Sequence, residues 1–101
     1  GVEVIEVDDV KEAVEDVDVV YMTRIQKERF PDIREYDKVR GKFKIGMSEA
    51  ALLREDAVVL HPLPRVDELS SDLDALPQAK YFDQVYNGVI LRMAVLKMIL
   101  D

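Results

Sequence analysis

The segment from Asn87 to Asp101 constrains the fold most, because it has the composition of a buried helix. Its polar positions are few, and they are Asn87, Arg92, Lys97 and Asp101. At about 100° per residue, three of them cluster on one side of a helix and Arg92 stands nearly opposite. Apolar side chains then cover most of the circumference, whereas a surface helix has a wide polar face. We therefore predict a long apolar helix that packs against a partner, either another domain or another subunit.

The rest of the chain offers little surface to bury this helix. With 101 residues, of which 49% are hydrophobic, the chain is long enough for one folded domain with a thin core. A few short strands and helices, which are all that the remaining sequence predicts, can cover only part of so apolar a helix. The alternative is a small domain that ends in a very apolar helix without needing a partner.

The charge and the residue types exclude several classes of protein. The formal net charge of -7 disfavours sequence-independent nucleic-acid binding and attraction to an anionic membrane. The chain has no cysteine and one histidine, which excludes thiolate and histidine-rich metal sites, while carboxylate-only sites stay open. No apolar stretch is long enough to span a membrane, and the first residues have neither the basic region nor the apolar core that are typical of a signal peptide. We expect a soluble cytoplasmic protein that uses no metal or cofactor and binds neither nucleic acid nor membrane.

The hydrophobic pattern predicts an α/β fold. Runs rich in β-branched and apolar residues near 2–7, 17–22 and 57–61 predict strands, and the continuous apolar character of the last two is typical of strands covered on both faces. Helical segments separate these strands, so we expect a small parallel sheet. The prediction is a single, incomplete domain over residues 1–101, which forms part of a doubly wound, three-layer α/β fold and ends in the long apolar helix.

Capping residues and helical spacing indicate where the helices begin. Asp9 can cap a short helix whose apolar positions run from Val10 to Val17. Ser48 can cap a second helix that runs through Leu53. The remaining expectations are a short helix around 35–41, a loop over 66–78 and the long helix within 81–101.

The first polar cluster, Thr23-Arg24-Ile25-Gln26-Lys27-Glu28-Arg29, directly follows the second predicted strand. In open α/β sheets, ligands bind beyond the carboxyl ends of the strands. Arg24 and Gln26 alternate across Ile25, so in an extended segment both point the same way. A guanidinium beside an amide fits a carboxylate or a phosphate, and Glu28 could hold Arg24 in place. The alternative is an ordinary solvated run of charges on a loop.

The second cluster, His61-Pro62-Leu63-Pro64-Arg65, follows the third predicted strand. Two prolines around one leucine make the turn rigid. Such a turn can hold the carbonyls of Pro62 and Leu63 outward as fixed hydrogen-bond acceptors for an amine. The alternative is a simple end to the strand. For His61, we favour a buried histidine that fills a hydrogen bond over a proton-transfer role.

The two clusters together indicate a functional site more specifically than either cluster alone. Two consecutive strand ends in a parallel sheet lie side by side, so both loops are expected to face one crevice. We therefore predict that they form half of a site for a small anionic substrate.

The two motifs together closely resemble the catalytic chain of aspartate carbamoyltransferases. The resemblance begins with the segment from Tyr21 to Arg29 and continues through His61-Pro62-Leu63-Pro64-Arg65-Val66-Asp67-Glu68 and Tyr81-Phe82-Asp83-Gln84-Val85-Tyr86-Asn87-Gly88. It covers essentially the whole chain. Ornithine carbamoyltransferases, the sister group, typically carry a cysteine-containing turn at the position of Pro62 and lack the Thr-Arg-x-Gln-Lys-Glu-Arg motif. The chain is therefore similar to the aspartate-specific branch.

This resemblance implies roles for the residues of both clusters. Arg24 and Gln26 would bind the carboxylates of aspartate. Pro62, Leu63 and Pro64 would contact carbamoyl phosphate and the attacking amine, and the Leu63–Pro64 peptide bond would be cis. The implied reaction is attack of the aspartate amino group on the carbamoyl carbon, which releases phosphate, gives N-carbamoyl-aspartate and opens pyrimidine synthesis.

The resemblance also implies four supporting residues and an assembly. Glu28 would orient Arg24, and Arg29 would help to hold the two domains of a full-length chain closed. Tyr36 and Asp67 match a pair that is linked to the open and closed states of the loop. Catalytic chains of this family form homotrimers, in some cases with regulatory chains.

The chain departs from the family in its length, which is about a third of that of a complete catalytic chain. The amino-terminal domain that supplies most of the carbamoyl phosphate site is absent, as is the first part of the aspartate domain. We therefore expect a carboxyl-terminal piece that is inactive alone. One alternative is an independently folding or engineered non-catalytic piece that self-associates through its last helix; another is a relative that acts on a different amino acid.

Overall fold

The fold is described from a computed structural model, which covers residues 1–25, 29, 31–39 and 42–101. Helices separate the two short strands along these residues, as the hydrophobic pattern predicts. In chain order the elements are α1 (Val10–Val14), β1 (Val19–Tyr21), α2 (Ile33–Val39), α3 (Met47–Ala50), β2 (Val58–Leu60), a 3₁₀ turn (Ser71–Ala75) and α4 (Tyr81–Leu100).

The strands β1 and β2 pair in parallel, which confirms the small parallel sheet. Val19 lies opposite Val58, and Tyr21 lies opposite Leu60. The pairing continues one residue beyond β1, because the Met22 N–H donates to the carbonyl of Leu60 at 2.9 Å. Both strands lie within their predicted ranges, and each is shorter than predicted.

The predicted strand at residues 2–7 is wrong. The described residues Val2 to Val7 form no strand, and Val2 keeps 91% of its surface exposed. A β-branched run favours extended backbone, but a strand also needs a neighbour to satisfy its N–H and carbonyl groups. Among the described residues, no strand pairs with this segment.

The helix α1 begins where its cap predicts and ends early. The Asp9 carboxylate accepts a hydrogen bond from the Lys11 N–H at 2.9 Å, as expected of an N-cap residue. The helix stops at Val14 and not at Val17, because Glu15 has extended backbone and Asp16 has a positive φ of 59°. Val14 is buried in the core.

Three other predicted elements are shifted. The helix α3 is capped by Gly46, whose N–H points to the Glu49 carboxylate, so Ser48 lies in the first turn and is not the cap. The helix α2 begins at Ile33, two residues before the predicted range, because the Asp32 carboxylate accepts from the Arg34 N–H. The predicted loop over 66–78 contains the 3₁₀ turn, which Ser70 caps.

The core lies between the sheet, α1, α3 and the start of α4. Ile45 and Leu69 join two distant segments by a bridge in which the Ser70 N–H donates to the Ile45 carbonyl at 2.9 Å. The buried apolar residues are Val14, Ile45, Ala50, Leu53, Ala57, Val59, Leu69, Leu73 and Tyr81. This small core fits a chain of this length.

The long carboxyl-terminal helix is confirmed as α4, and most of it is exposed. Tyr81, its first residue, is fully buried, whereas Met98 near its end keeps 83% of its surface exposed. Apolar side chains are also exposed between these two residues. An apolar helix is normally buried, but the described residues do not cover this one. None of the helices in the described ranges combines the length and the apolar content that crossing a bilayer requires.

Candidate functional site

Both predicted clusters begin at the same edge of the sheet. Because β1 and β2 are parallel and Tyr21 pairs with Leu60, the segments that start at Thr23 and His61 leave the sheet side by side. This is the carboxyl edge, where α/β proteins bind ligands. The structure therefore confirms the predicted starting points of the two loops.

The single histidine lies at the centre of the second cluster and has no exposed surface. Its ring nitrogen Nδ1 accepts a hydrogen bond from the Leu63 N–H at 2.8 Å, and its Nε2 lies 2.8 Å from a carboxylate oxygen of Glu68. An acceptor at Nδ1 carries no proton, so the proton of the neutral ring is on Nε2 and is donated to Glu68. His61 is thus the buried, hydrogen-bonded histidine that the sequence favours.

Glu68 is a carboxylate with only 6% of its surface exposed. Burial of an unpaired carboxylate costs several kcal/mol, roughly, so such a group needs partners. It accepts from the His61 ring and from the Val66 N–H, whose nitrogen lies 3.1 Å from Oε2. One carboxylate therefore ties together both sides of the turn, and in the described ranges every buried side-chain nitrogen and oxygen has a partner.

The turn itself has the backbone that the family resemblance implies. The Leu63–Pro64 peptide bond is cis, as predicted. Leu63 has a positive φ of 47°, a region that costs a residue with a side chain roughly 1–2 kcal/mol. Pro62 and Pro64 are exposed and Leu63 is half-buried, so the turn presents one face to solvent and one to the core.

Arg65, directly after the turn, is committed to internal contacts. Its guanidinium donates two hydrogen bonds to the Asp74 carboxylate, at 2.6 and 2.8 Å, and lies 5.7 Å from the centre of the Tyr81 ring. The Tyr81 hydroxyl donates to the same carboxylate. Arg65 and then Tyr81 hold the pKa of Asp74 down to about 2, and the carboxylate raises the pKa of Arg65. Burial, followed by the bond to Asp74, raises the pKa of Tyr81 to about 12.

A cavity of about 250 Å³ lies beside the turn, between the strand ends and α4. Gln84 lies in its wall and joins three elements, because its Oε1 accepts from the His61 backbone N–H at 2.9 Å and its Nε2 donates to the Tyr21 hydroxyl at 3.3 Å. The lining residues are Tyr21, His61, Pro62, Gln84, Val85, Gly88 and Arg92. The cavity therefore combines the predicted turn with a face of α4.

Gly88 and Arg92 belong together in this wall. A Cβ atom at residue 88 would stand 3.2 Å from Nη1 of Arg92, which is tighter than an ordinary contact. The missing side chain thus leaves room for the guanidinium of Arg92 to lie along the helix at the cavity. Among the described residues, no three His, Asp or Glu side chains come together as a possible set of metal ligands.

The remaining predicted site residues lie on the loops and on α2. Arg24 is exposed and follows β1, and Arg29 is also exposed. Tyr36 is half-buried on α2, and Asp67 is exposed just after the turn. Gln26 and Glu28 lie outside the described residues. The binding and supporting roles of all these residues stay predictions.

Sequence reasoning assigned no role to four residues that hold the site together: Glu68, Asp74, Tyr81 and Gln84. Three of them lie in the quoted motifs. The side chains that they join, His61 with Glu68, Asp74 with Tyr81 and Tyr21 with Gln84, are seven to 63 residues apart, beyond the reach of local patterns. The usable signal was chemical. A rigid turn that follows a buried histidine needs a hydrogen-bond partner for the imidazole, and the acids that follow it are the available candidates.

Comparisons with known proteins agree with the geometry. The sequence profile of the family described as aspartate/ornithine carbamoyltransferase, Asp/Orn binding domain, matches residues 1–99. The aspartate carbamoyltransferase catalytic subunit of Methanopyrus kandleri is 55% identical over 99% of this chain and 33% of its own length. That of Methanothermobacter thermautotrophicus is 50% identical over 100% of this chain and 32% of its own.

Solved structures give the same result. The aspartate transcarbamoylase of Trypanosoma cruzi, in complex with carbamoyl aspartate and phosphate, is 43% identical and has a TM-score of 0.76 over 85% of this chain and 28% of its own. The catalytic subunit of the M. jannaschii enzyme is 54% identical and has a TM-score of 0.71 over 82% and 27%. The chain spans about a third of the length of the curated relatives that it matches. On this combined evidence, the chain belongs to the aspartate/ornithine carbamoyltransferase family and matches its Asp/Orn binding domain.

Proposed function

We propose that these residues form the aspartate-binding side of an aspartate carbamoyltransferase, which transfers the carbamoyl group of carbamoyl phosphate to the amino group of L-aspartate in pyrimidine synthesis. The observation that carries the proposal is the Pro62-Leu63-Pro64 turn. The turn has a cis bond and is anchored through His61, and it follows the strand that pairs in parallel with the strand before Arg24, which supports a site at the ligand-binding edge of the sheet. Relatives that bear the name of that enzyme match nearly all residues of this chain.

The proposed chemistry divides the work between the two loops. The aspartate nitrogen forms a bond to the carbamoyl carbon, the bond from that carbon to the phosphate oxygen breaks, and the departing phosphate takes up the proton that the nitrogen loses. Arg24 and Gln26 hold the carboxylates of aspartate through charge-assisted hydrogen bonds. The carbonyls of Pro62 and Leu63, together with Pro64, contact carbamoyl phosphate and accept hydrogen bonds from the amine. Fixed acceptors need no reorganisation during the reaction.

Four further residues support this arrangement in the proposal. Glu28 orients Arg24, and Arg29 helps to hold two domains closed around the substrates. Tyr36 and Asp67 form a pair that is linked to the open and closed states of the loop. The half-burial of Tyr36 and the exposure of Asp67 leave both near the surface, where a segment can move.

The phosphate-holding half of the site belongs, in this proposal, to a carbamoyl-phosphate domain elsewhere in a longer chain. Two observations support it: the coverage of about a third of the relatives, and the apolar surface of α4, which exceeds what the described residues cover. The longer chain would complete the three-layer, doubly wound domain, assemble as a homotrimer in the cytoplasm and, in some settings, bind regulatory chains.

The decisive experiment compares a full-length chain that carries these residues with the 101-residue chain alone. We expect the full-length chain to form carbamoyl-aspartate and to leave ornithine unused, and the short chain to be inactive. In the full-length chain, Arg24→Ala should raise the KM for aspartate, whereas Arg34→Ala, a second exposed arginine, should not. Efficient turnover by the short chain, or ornithine use by the long one, would contradict the proposal.

A second candidate is a non-catalytic piece that associates with copies of itself through α4. The exposed apolar side chains along that helix favour it, because such surfaces drive association in water. Sedimentation of the 101-residue chain tests this reading. A monomer at every concentration would rule out self-association, and would also weaken the case for a missing partner.

A further inference from the structure

We propose that His61 is a positioning residue that aims the Pro62 carbonyl at the reacting groups, and that it does so in one defined tautomer. This inference rests on the proposed function and goes beyond it, because it assigns a role to a buried residue that contacts no substrate. The role follows from the geometry of one peptide unit.

That unit is the peptide between Pro62 and Leu63. A peptide group is planar, and in the trans form its N–H and its carbonyl point in opposite directions. In the described ranges the cis bond is the next one, between Leu63 and Pro64. The Leu63 N–H points inward to Nδ1 of His61 at 2.8 Å. The Pro62 carbonyl must therefore point outward, away from the buried imidazole.

The same hydrogen bond restrains Leu63 in its unfavourable backbone conformation. A φ of 47° is costly for leucine, so something must offset that cost. The bond to Nδ1 contributes to that offset, because it is lost if the peptide plane rotates. His61 thus fixes both the plane of the Pro62–Leu63 peptide and the direction of the turn.

His61 can act as a fixed support because it is itself held from three sides. Its Nε2–H donates to Glu68, its backbone N–H donates to Gln84, and its ring has no exposed surface. The carboxylate of Glu68 keeps the proton on Nε2 and so leaves Nδ1 free to accept. Both ring nitrogens are occupied by these bonds, which makes His61 a support and not a proton-transfer group.

Two variants separate the two hydrogen bonds of the ring, since the amide of asparagine reaches the place of Nδ1 and that of glutamine reaches the place of Nε2. In a full-length chain, His61→Asn keeps an acceptor for the Leu63 N–H and loses the contact with Glu68. His61→Gln keeps the contact with Glu68 and loses the acceptor. We expect kcat for carbamoyl-aspartate formation to fall roughly 10- to 100-fold in the glutamine variant and less than about 5-fold in the asparagine variant.

Stability should change in the opposite order, which a purely structural role does not predict. The asparagine variant leaves the buried Glu68 carboxylate with fewer partners, so it should unfold at lower urea than the glutamine variant. Both activities are measured at a temperature at which both variants are folded. The proposal is overturned if the asparagine variant is as slow as the glutamine variant, or if glutamine retains full kcat.

If a variant does not fold, a neutron structure of the unaltered full-length chain decides the question. The expected result is a deuteron on Nε2 and a Leu63 N–D directed at Nδ1. A deuteron on Nδ1 would overturn the proposal.

The activity of the unaltered chain keeps this test separate from the proposed function. If that chain carbamoylates an amine other than aspartate, the aspartate assignment fails. The order of the two His61 variants is then measured with that amine, and it still decides whether His61 positions the turn.

Discussion

The two ends of α4 reverse the usual relation between polarity and burial. At its start, Tyr81 is buried and Gln84 contacts the equally buried His61, whose neighbour Glu68 is a carboxylate. Toward its end, Met98, Ile99 and Leu100 are apolar and exposed. The polar end is complete, because each buried side-chain nitrogen and oxygen of the described residues has a partner. The apolar end is incomplete, because its side chains lack the surroundings that make burial favourable.

The contrast between the two ends indicates which part of the site the described residues build by themselves. The turn and its supports depend on contacts among the described residues, so their geometry is already formed. Along the outer length of α4, by contrast, the described residues leave most apolar side chains exposed. Four predictions test this division.

The largest effect is expected at the apolar end, from Leu96→Glu. In a full-length chain this change should cost about 4 kcal/mol of unfolding free energy, because it removes apolar contacts and buries a charge. In the 101-residue chain the same side chain is half-exposed and the cost should be small. Urea denaturation of both chains measures it.

The neighbouring change Lys97→Glu serves as the control for that experiment. It adds negative charge at an exposed position and breaks only the surface ion pair with Asp101, which is worth about 0.5 kcal/mol or less. Equal losses for Leu96→Glu in the long and short chains would show that α4 gains no further contacts.

A smaller loss is expected at the polar end, from Glu68→Ala. The substitution leaves the His61 Nε2–H and the Val66 N–H without their acceptor, which should cost about 3 kcal/mol. Urea denaturation should show it, together with a loss of activity in a full-length chain. Glu55→Ala, at an exposed position, should change stability by about 0.5 kcal/mol or less. If the two variants unfold alike, Glu68 does not hold the turn.

Removing one hydroxyl should have a third, weaker effect. Tyr81→Phe keeps the buried ring and loses the hydrogen bond to Asp74, so we expect a loss of about 1 kcal/mol. Thermal unfolding measures this loss. The matched control is Tyr86→Phe, at an exposed tyrosine, and its unfolding temperature should be unchanged. A stability equal to that of the unaltered chain would mean that the Tyr81 hydroxyl does not contribute.

The smallest effect concerns pH. Because Arg65 and Tyr81 hold the pKa of Asp74 at about 2, below its usual 3.8, the folded state binds this proton less readily than the unfolded state. The resulting stability is present above about pH 4 and is lost as the pH falls toward 2. Asp74→Asn should remove this part of the acid dependence in urea titrations, whereas Asp72→Asn should not. Identical acid profiles for Asp74→Asn and the unaltered chain would contradict this assignment.

The elements that sequence reasoning predicted correctly are those with strong local signals. Continuous apolar runs predict β1 and β2, and the long apolar segment predicts α4. The strand predicted at Val2 to Val7 is wrong. Alternation shows that a segment can adopt extended backbone, but it does not show that a neighbouring strand is present to pair with it. The predicted cap at Ser48 is also wrong. The helix α3 begins two residues earlier, where the Gly46 N–H donates to the Glu49 carboxylate.

The candidate site divides in the same way. The position of the Pro-Leu-Pro turn follows from local sequence, and its cis bond follows from the family resemblance. The supports of the turn come from Glu68 and Gln84, whose contacts with His61 exist only after the chain has folded. Charge and spacing cannot show which acid or amide fills such a place, because several nearby residues have the same chemistry.

Gln84 also gives α4 a mechanical property. Its amide fastens the first turns of the helix to the ends of both strands. The far end, at Leu100, lies about 24 Å from this pivot at 1.5 Å per residue. A tilt of about 5° about this point would move the far end by roughly 2 Å. A change in the direction of α4 about Gln84 would therefore displace its apolar end more than the residues beside the turn.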